Sequence, residues 1–320
     1  MPDRPTLLAA GQVSDEMRVR LLAKFDILDL PNQEQRSEFF AQNGAKIQAI
    51  AGSHILIDSN MMDQMPDLKV VANFGVGYDT VDAVEAANRG ILVSHTPEVL
   101  NDEVADTAIM LWLATSKRLI SADAWARSGK WASEGDFPLA HSIRQKTLGI
   151  LGMGRIGQAI AKLAQAFEAD ILYHTRSPKN VPFAYCEDLI SMAEKADAMI
   201  VITPGGDATR HLVDQNVMKA LGPNGILINI SRGTVVDELA LVDCLQSGAL
   251  GAAGLDVFEY EPNIPDALKV MENVVLAPHI GSGTVETRWA MGDLVCKNLE
   301  QWAQDGTVVT PVPECRHLIR

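Results

Sequence analysis

Basic residues are scarce in this sequence. Its 320 residues hold 27 Lys and Arg against 41 Asp and Glu, a net charge of −14. That balance argues against non-specific binding to nucleic acid, and any phosphate or carboxylate ligand must be drawn by locally placed cations. Cysteines are few and scattered. Cys186, Cys244, Cys296 and Cys315 show no zinc or redox spacing, so no metal site is expected. They read as small apolar fillers in a reducing compartment, the cytoplasm. No apolar run reaches about 18 residues, so no membrane span is expected. Met1-Pro2-Asp3-Arg4-Pro5 lacks the apolar stretch of a secretory leader. Low-complexity segments and detectable internal repeats are also missing.

What is present is ordinary for a globular chain: 47% hydrophobic and 21% charged residues, and length for two domains. The most informative stretch is Lys146 to Gly157. The apolar run Thr147-Leu148-Gly149-Ile150-Leu151 is followed by Gly152-Met153-Gly154-Arg155-Ile156-Gly157, then by the helical pattern Gln158 to Ala164. A buried strand feeds a tight glycine turn, and the turn opens a helix. Gly152 makes the turn, Gly154 admits a pyrophosphate close to the backbone, and Gly157 lets the helix lie near the sheet. The helix N-terminus offers unpaired N–H groups to phosphates. A lone G-x-G-x-x-G is weak evidence, but here a second apolar strand, Asp170 to His174, completes the expected context.

Around this centre, strand and helix patterns alternate. Strands are expected at 6–10, 26–30, 46–51, 68–74 and 91–94, with helices such as 14–25, 33–43 and 82–88 between them. A second series has strands at 147–151, 170–174, 198–203, 225–230, 252–257 and 273–277. Long helices are expected at 101–119 and 284–304, and an extended segment at 308–313. Residues 121–145, with Trp125, Trp131, Gly135 and Pro138, are poor in strand signal and read as an arm packing on a second subunit or as a surface loop. The expected class is α/β: two Rossmann-like or flavodoxin-like parallel-sheet domains. A cofactor domain, 100–286, is inserted into a discontinuous substrate domain, 1–99 and 287–320, with ligands in a cleft between them.

Three later segments follow apolar strands. Asn229-Ile230-Ser231-Arg232-Gly233 places a permanently charged fork where ligands of such sheets lie. Gly254-Leu255-Asp256-Val257-Phe258-Glu259-Tyr260-Glu261-Pro262 carries carboxylates beside a proline-fixed loop, and Ala277-Pro278-His279-Ile280-Gly281-Ser282 carries a histidine. Each alone has a bland alternative: a surface ion pair, a solvated acidic loop, a structural histidine. Together they supply an Arg for a carboxylate, a Glu to hold a His, and a His to move a proton, the set needed to reduce a 2-keto acid.

These motifs, with Asn73-Phe74-Gly75-Val76-Gly77-Tyr78-Asp79, occur in an order and spacing that resembles the D-isomer-specific 2-hydroxyacid dehydrogenase family over essentially the whole chain. The resemblance implies Arg232, Glu261 and His279 as the catalytic set. It implies substrate binding by backbone N–H groups near Val76 and Gly77, and homodimers paired through the cofactor domain. Ser53 and Leu100 are further expected substrate contacts; His54 reads as a loop residue. Expected cofactor contacts are Gly152, Gly154, Arg155, Ile156, Gly157, Thr175, Arg176, Ser177, Thr203, Pro204, Thr107, Ile230, Asp256 and Gly281.

An NAD enzyme usually has an acid about 20 residues beyond the turn, for the ribose 2′-OH. Here that strand ends Tyr173-His174-Thr175-Arg176-Ser177-Pro178-Lys179, without an acid. Arg176, Ser177 and Lys179 suit a 2′-phosphate, so NADP(H) is expected over NAD(H). The end of the chain at Arg320 leaves no room for the regulatory domain common in phosphoglycerate enzymes. Glu261, where formate dehydrogenases carry Gln, points away from that branch. Gly135-Asp136-Phe137-Pro138-Leu139 is similar to glyoxylate/hydroxypyruvate reductases and to hydroxyphenylpyruvate reductases. The expected substrate is glyoxylate or hydroxypyruvate, reduced to the D-2-hydroxy acid. Alternatives are a bulkier 2-keto acid, or a cofactor-sensing corepressor-like protein.

Overall fold

A computed structural model describes residues 4–11, 13–52 and 55–319. The expected contacts Ser53 and His54 lie outside these. The chain forms two compact units, residues 1–100 with 285–320, and residues 101–284.

The first unit is built on five parallel strands: β1 (Thr6–Ala10), β2 (Asp26–Asp29), β3 (Ile47–Gly52), β4 (Val70–Asn73) and β5 (Leu92–Ser94), in the order β2-β1-β3-β4-β5. This is the flavodoxin-like order. Helices cover both faces, so β4 reads as an unbroken apolar run, and all four of its residues are buried. Leu7, Leu8, Ile47 and Val70 are fully buried, each worth about 1.5–3 kcal/mol relative to exposure. Ser14, Asp58 and Asp82 cap the helices that follow them, each cap contributing about 1 kcal/mol.

Helix Val285–Asp305 closes this unit. It is tied to the helix Asp15–Leu21 by Arg20, which meets both Glu300 and Asp293 at 2.6 Å. The segment expected to be extended runs back beside β5: the Val312 N–H donates to Val93 O at 2.9 Å and the His95 N–H to Thr310 O at 3.2 Å.

The second unit holds seven parallel strands: β6 (Thr147–Leu151), β7 (Asp170–His174), β8 (Ala184–Tyr185), β9 (Ala198–Val201), β10 (Ile226–Asn229), β11 (Ala252–Leu255) and β12 (Val274–Leu276). Their order is β12-β11-β10-β9-β6-β7-β8. Counted from β6, this is the Rossmann order with one extra strand, and it reverses between β6 and β9. Helix Asn101–Ser116 packs on β10 and β11 and against helix Arg155–Ala164. Trp112, fully buried on that helix, meets Phe167 edge-on at 6.3 Å.

Residues 121–145, read above as an arm or a surface loop, include most of helix Leu119–Arg127 and all of helix Lys130–Glu134. Arg118 and Gly129, both left-handed, separate these from each other and from the helix before. Neither helix buries a residue.

Candidate active site

The glycine turn joins β6 to helix Arg155–Ala164. Gly152 has φ +110°, and a Cβ there would lie 2.8 Å from Ile202 O and 3.0 Å from Thr203 N. The turn therefore sits against the loop after β9, which brings Thr203 and Pro204 beside it. A Cβ on Gly157 would lie 2.1 Å from Gly152 O, so the helix approaches the strand as only glycine permits. Gly154 is different: a Cβ there would meet nothing within 4 Å. The space over Gly154 is open, and the helix that starts beside it has no side-chain cap. Its first turn, which includes Ile156 and Gly157, presents N–H groups that suit an anion. Among the described residues, the helices after Ser14, Asp58, Asp82, Asp188, Asp214 and Asp237 do carry side-chain caps. This cradle fits a dinucleotide pyrophosphate.

Beyond β7, Arg176, Ser177 and Lys179 are exposed on one short loop. The Thr175 hydroxyl donates to Ser177 O at 2.7 Å. These residues can hold a ribose 2′-phosphate. Thr107 and Ile230 are buried, at 6% and 5% exposure.

Arg232, Glu261 and His279 follow β10, β11 and β12, three adjacent strands. Parallel neighbours end on the same side, so their trailing loops converge. Buried Asn229 organises the first loop: its Nδ2 donates to Arg232 O at 3.1 Å, and its Oδ1 accepts from the Ser231 N–H at 3.1 Å and hydroxyl at 2.8 Å. Arg232 Nη1 donates to Ser231 O at 2.8 Å. A Cβ on Gly233 would lie 1.8 Å from Phe258 C, so this loop presses directly on the next.

Glu261 Oε1 accepts the Phe258 N–H at 3.1 Å, and Oε2 lies 2.7 Å from His279 Nδ1. Both side chains keep about 30% of their surface exposed. His279 has φ +54°, a conformation that costs about 1–3 kcal/mol in a non-glycine residue and persists only where neighbours enforce it. Asp256 is that neighbour. Its carbonyl accepts the His279 N–H at 2.8 Å, and its carboxylate oxygens accept the N–H groups of Ile280 at 2.7 Å and Gly281 at 2.8 Å. Burial pushes the Asp256 carboxyl pKa up, against the pull of those two N–H groups. Glu259, in the same acidic segment, instead pairs with Arg210 and His211.

With this geometry in view, likeness to known proteins becomes informative. The family model for "D-isomer specific 2-hydroxyacid dehydrogenase, NAD binding domain" matches residues 109–281. The chain belongs to this family. Among its family relatives, glyoxylate/hydroxypyruvate reductase A of Arabidopsis thaliana is 43% identical over 302 residues, 94% of this chain and 96% of that protein. Hydroxyphenylpyruvate reductase of Plectranthus scutellarioides is 42% identical over the same shares. Among solved structures, the NADPH-dependent glyoxylate/hydroxypyruvate reductase of Sinorhizobium meliloti, in complex with NADP and malonate, superposes with a TM-score of 0.90. It is 46% identical and covers 98% of each chain.

Of the expected substrate contacts, Val76 and Gly77 lie on the loop after β4, in the first unit. The Asn73 side chain donates to Gly75 O at 3.1 Å and Gly77 O at 3.0 Å, and His95 Nδ1 lies 3.0 Å from Val76 O. Leu100 is buried in that unit, at 6% exposure. The supporting roles of Asn229, Asn73 and His95 were not read from the sequence. A polar residue closing an apolar strand, as Asn229 and Asn73 do, is the signal that could have found two of them. Among the described residues, no group of three or more His, Cys, Asp or Glu is placed to hold a metal ion.

Proposed function

We propose that this protein reduces a small 2-keto acid, glyoxylate or hydroxypyruvate, to the D-2-hydroxy acid with NADPH. The observation that carries the reading is the convergence of Arg232 with the Glu261–His279 pair at the ends of three neighbouring strands. The NADP-bound relative supports the choice of cofactor, as do the exposed Arg176, Ser177 and Lys179.

When bound, NADPH supplies a hydride for the keto carbon. The uncapped helix N-terminus after Gly154 holds the pyrophosphate, and the 101–284 unit is the cofactor domain. Residues 1–100 with 285–320 take the substrate, with Val76 and Gly77 N–H groups receiving its carboxylate and Leu100 beside it. The Arg232 guanidinium draws the acid by charge and orients its carbonyl. Glu261 accepts the Nδ1 proton of His279, which fixes the ring and leaves Nε2 as the proton donor. The imidazolium form of His279 is balanced by the Glu261 carboxylate; as the keto oxygen gains charge, Nε2 gives up its proton to it and the ring is left neutral, with Nδ1–H still bonded to Glu261.

A homodimer is proposed, paired through exposed apolar residues near the start of the second unit. Leu119, Ile120, Trp131 and Leu139 are 55, 59, 65 and 96% exposed. The cytoplasm is the proposed location. Its support is the four free cysteines; no helix among the described residues is long and apolar enough to cross a membrane.

The test is consumption of NADPH, and separately of NADH, with a panel of 2-keto acids. Turnover of glyoxylate or hydroxypyruvate with higher kcat/KM for NADPH is the expected result. Preferred turnover of an aryl pyruvate transfers the assignment to the hydroxyphenylpyruvate branch. Tight cofactor binding without turnover of any acid makes the protein a cofactor sensor instead.

A further inference from the structure

The loop that carries Arg176 is closed by two tyrosines. Tyr173, next to last in β7, is 1% exposed. Its hydroxyl accepts the Lys179 N–H at 2.8 Å and donates to Lys179 O at 3.1 Å. A single phenol thereby ties off residues 173–179 into a ring. Tyr185 is its register partner on β8, with ring centroids 5.4 Å apart. The Tyr185 hydroxyl donates to Thr175 O at 3.1 Å.

The base of the loop is anchored as well. The Gly152 N–H donates to His174 O at 3.0 Å, which ties the loop to the glycine turn. His174 Nδ1 lies 2.9 Å from Cys186 O. The loop thus uses its own backbone groups internally and turns Arg176, Ser177 and Lys179 outward. Neither the Arg176 guanidinium nor the Lys179 ammonium pairs with a carboxylate among the described residues. In a chain of net charge −14, two unpaired cations on one closed loop make a local anion site. The apolar core needs the tyrosine rings but not their hydroxyls, whose partners are all loop backbone.

We propose that Tyr173 and Tyr185 are positioning residues for cofactor specificity, whose hydroxyls hold the 174–180 loop in the form that receives a ribose 2′-phosphate. The proposal rests on the NADPH reading above. The ordering cost of the loop is then met on folding rather than on binding. Removing the Tyr173 hydroxyl leaves the Lys179 N–H without its partner, while the Lys179 C=O keeps only the Val181 N–H at 3.0 Å, so the tie from residue 173 to residue 179 is lost and the loop's cations lose their common focus.

The test uses the full chain and two probes, adenosine 2′,5′-bisphosphate and 5′-AMP, titrated by calorimetry. Wild type is expected to prefer the bisphosphate. Tyr173→Phe is expected to bind the bisphosphate roughly tenfold more weakly, with 5′-AMP unchanged within about twofold. Its KM for NADPH rises by the same factor at constant kcat, and its NADH constants stay put. Tyr185→Phe moves the same way by about threefold, and it carries the test should Tyr173→Phe fail to fold. Retention of the wild-type preference in both variants, while Arg176→Ala loses it, overturns the proposal and leaves the NADPH reading intact. Equal loss of both probes in Tyr173→Phe also overturns it, since the hydroxyl would then serve the fold alone. A wild type that does not distinguish the probes removes the NADPH reading, and the proposal with it.

Discussion

Glu261 Oε2 lies 2.7 Å from Nδ1 of His279, although the two residues come from loops after different strands. The contact depends on how each partner is held. Asp256 holds the His279 backbone in a left-handed turn, and the Phe258 N–H fixes the other oxygen of Glu261. Two separate loops thus fix the ring through Nδ1 and the backbone of residue 279.

Arg232 is expected to be irreplaceable by lysine, because an ammonium cannot reproduce a planar fork that binds two oxygens. Arg232→Lys should raise the KM for the keto acid and lower kcat, for a combined loss of about a hundredfold in kcat/KM. The affinity for NADPH should stay within about twofold. Steady-state kinetics with both constants unchanged would remove Arg232 from the site.

Two glycines of the turn, Gly157 and Gly154, should respond differently to alanine. Gly157→Ala puts a Cβ 2.1 Å from Gly152 O and should cost roughly 2–3 kcal/mol, a fall in Tm of about 5–10 °C. Gly154→Ala meets no atom within 4 Å, and its φ of −81° suits alanine. Its Tm should hold within about 2 °C while NADPH binding weakens about tenfold or more. Calorimetric melts and NADPH titrations separate the two. A Gly154→Ala protein with wild-type affinity would mean that the pyrophosphate lies elsewhere.

Tyr78 gives a prediction in pH. Burial, then the Glu314 carboxylate beside its hydroxyl, pushes its pKa up from 10.0 to about 12. A group whose pKa is raised on folding stabilises the fold below its unfolded value and ceases to do so as pH climbs through the folded one. The stability contributed by Tyr78 is therefore complete below pH 10.0 and is lost towards about pH 12. Tyr78→Phe lacks this dependence. The gap in unfolding free energy between wild type and Tyr78→Phe should narrow from neutral pH to about pH 11 in denaturant titrations. A gap that widens would contradict the sign.

Much of the architecture was legible in the sequence, because parallel strands buried on both faces leave continuous apolar runs such as Ala198–Val201. The glycine turn was legible for the same kind of reason: each glycine answers a demand for space or for positive φ. What escaped was structure that buries little. The helices Leu119–Arg127 and Lys130–Glu134 bury nothing, and β8 is only two residues long. In the site, Arg232, Glu261 and His279 stood out by residue type and by position after strands. Asp256 acts through backbone N–H groups 24 and 25 residues away and Tyr173 through the backbone of Lys179, and such partners are visible only once the loops are folded.

Proton donation by His279 is the step on which the proposed reduction depends. Single-turnover measurement of NADPH oxidation by hydroxypyruvate, wild type beside His279→Gln, tests it most directly. The expected result is a rate at least about a hundredfold lower in the variant, with NADPH affinity within about twofold of wild type. Equal rates in the two proteins would contradict the account.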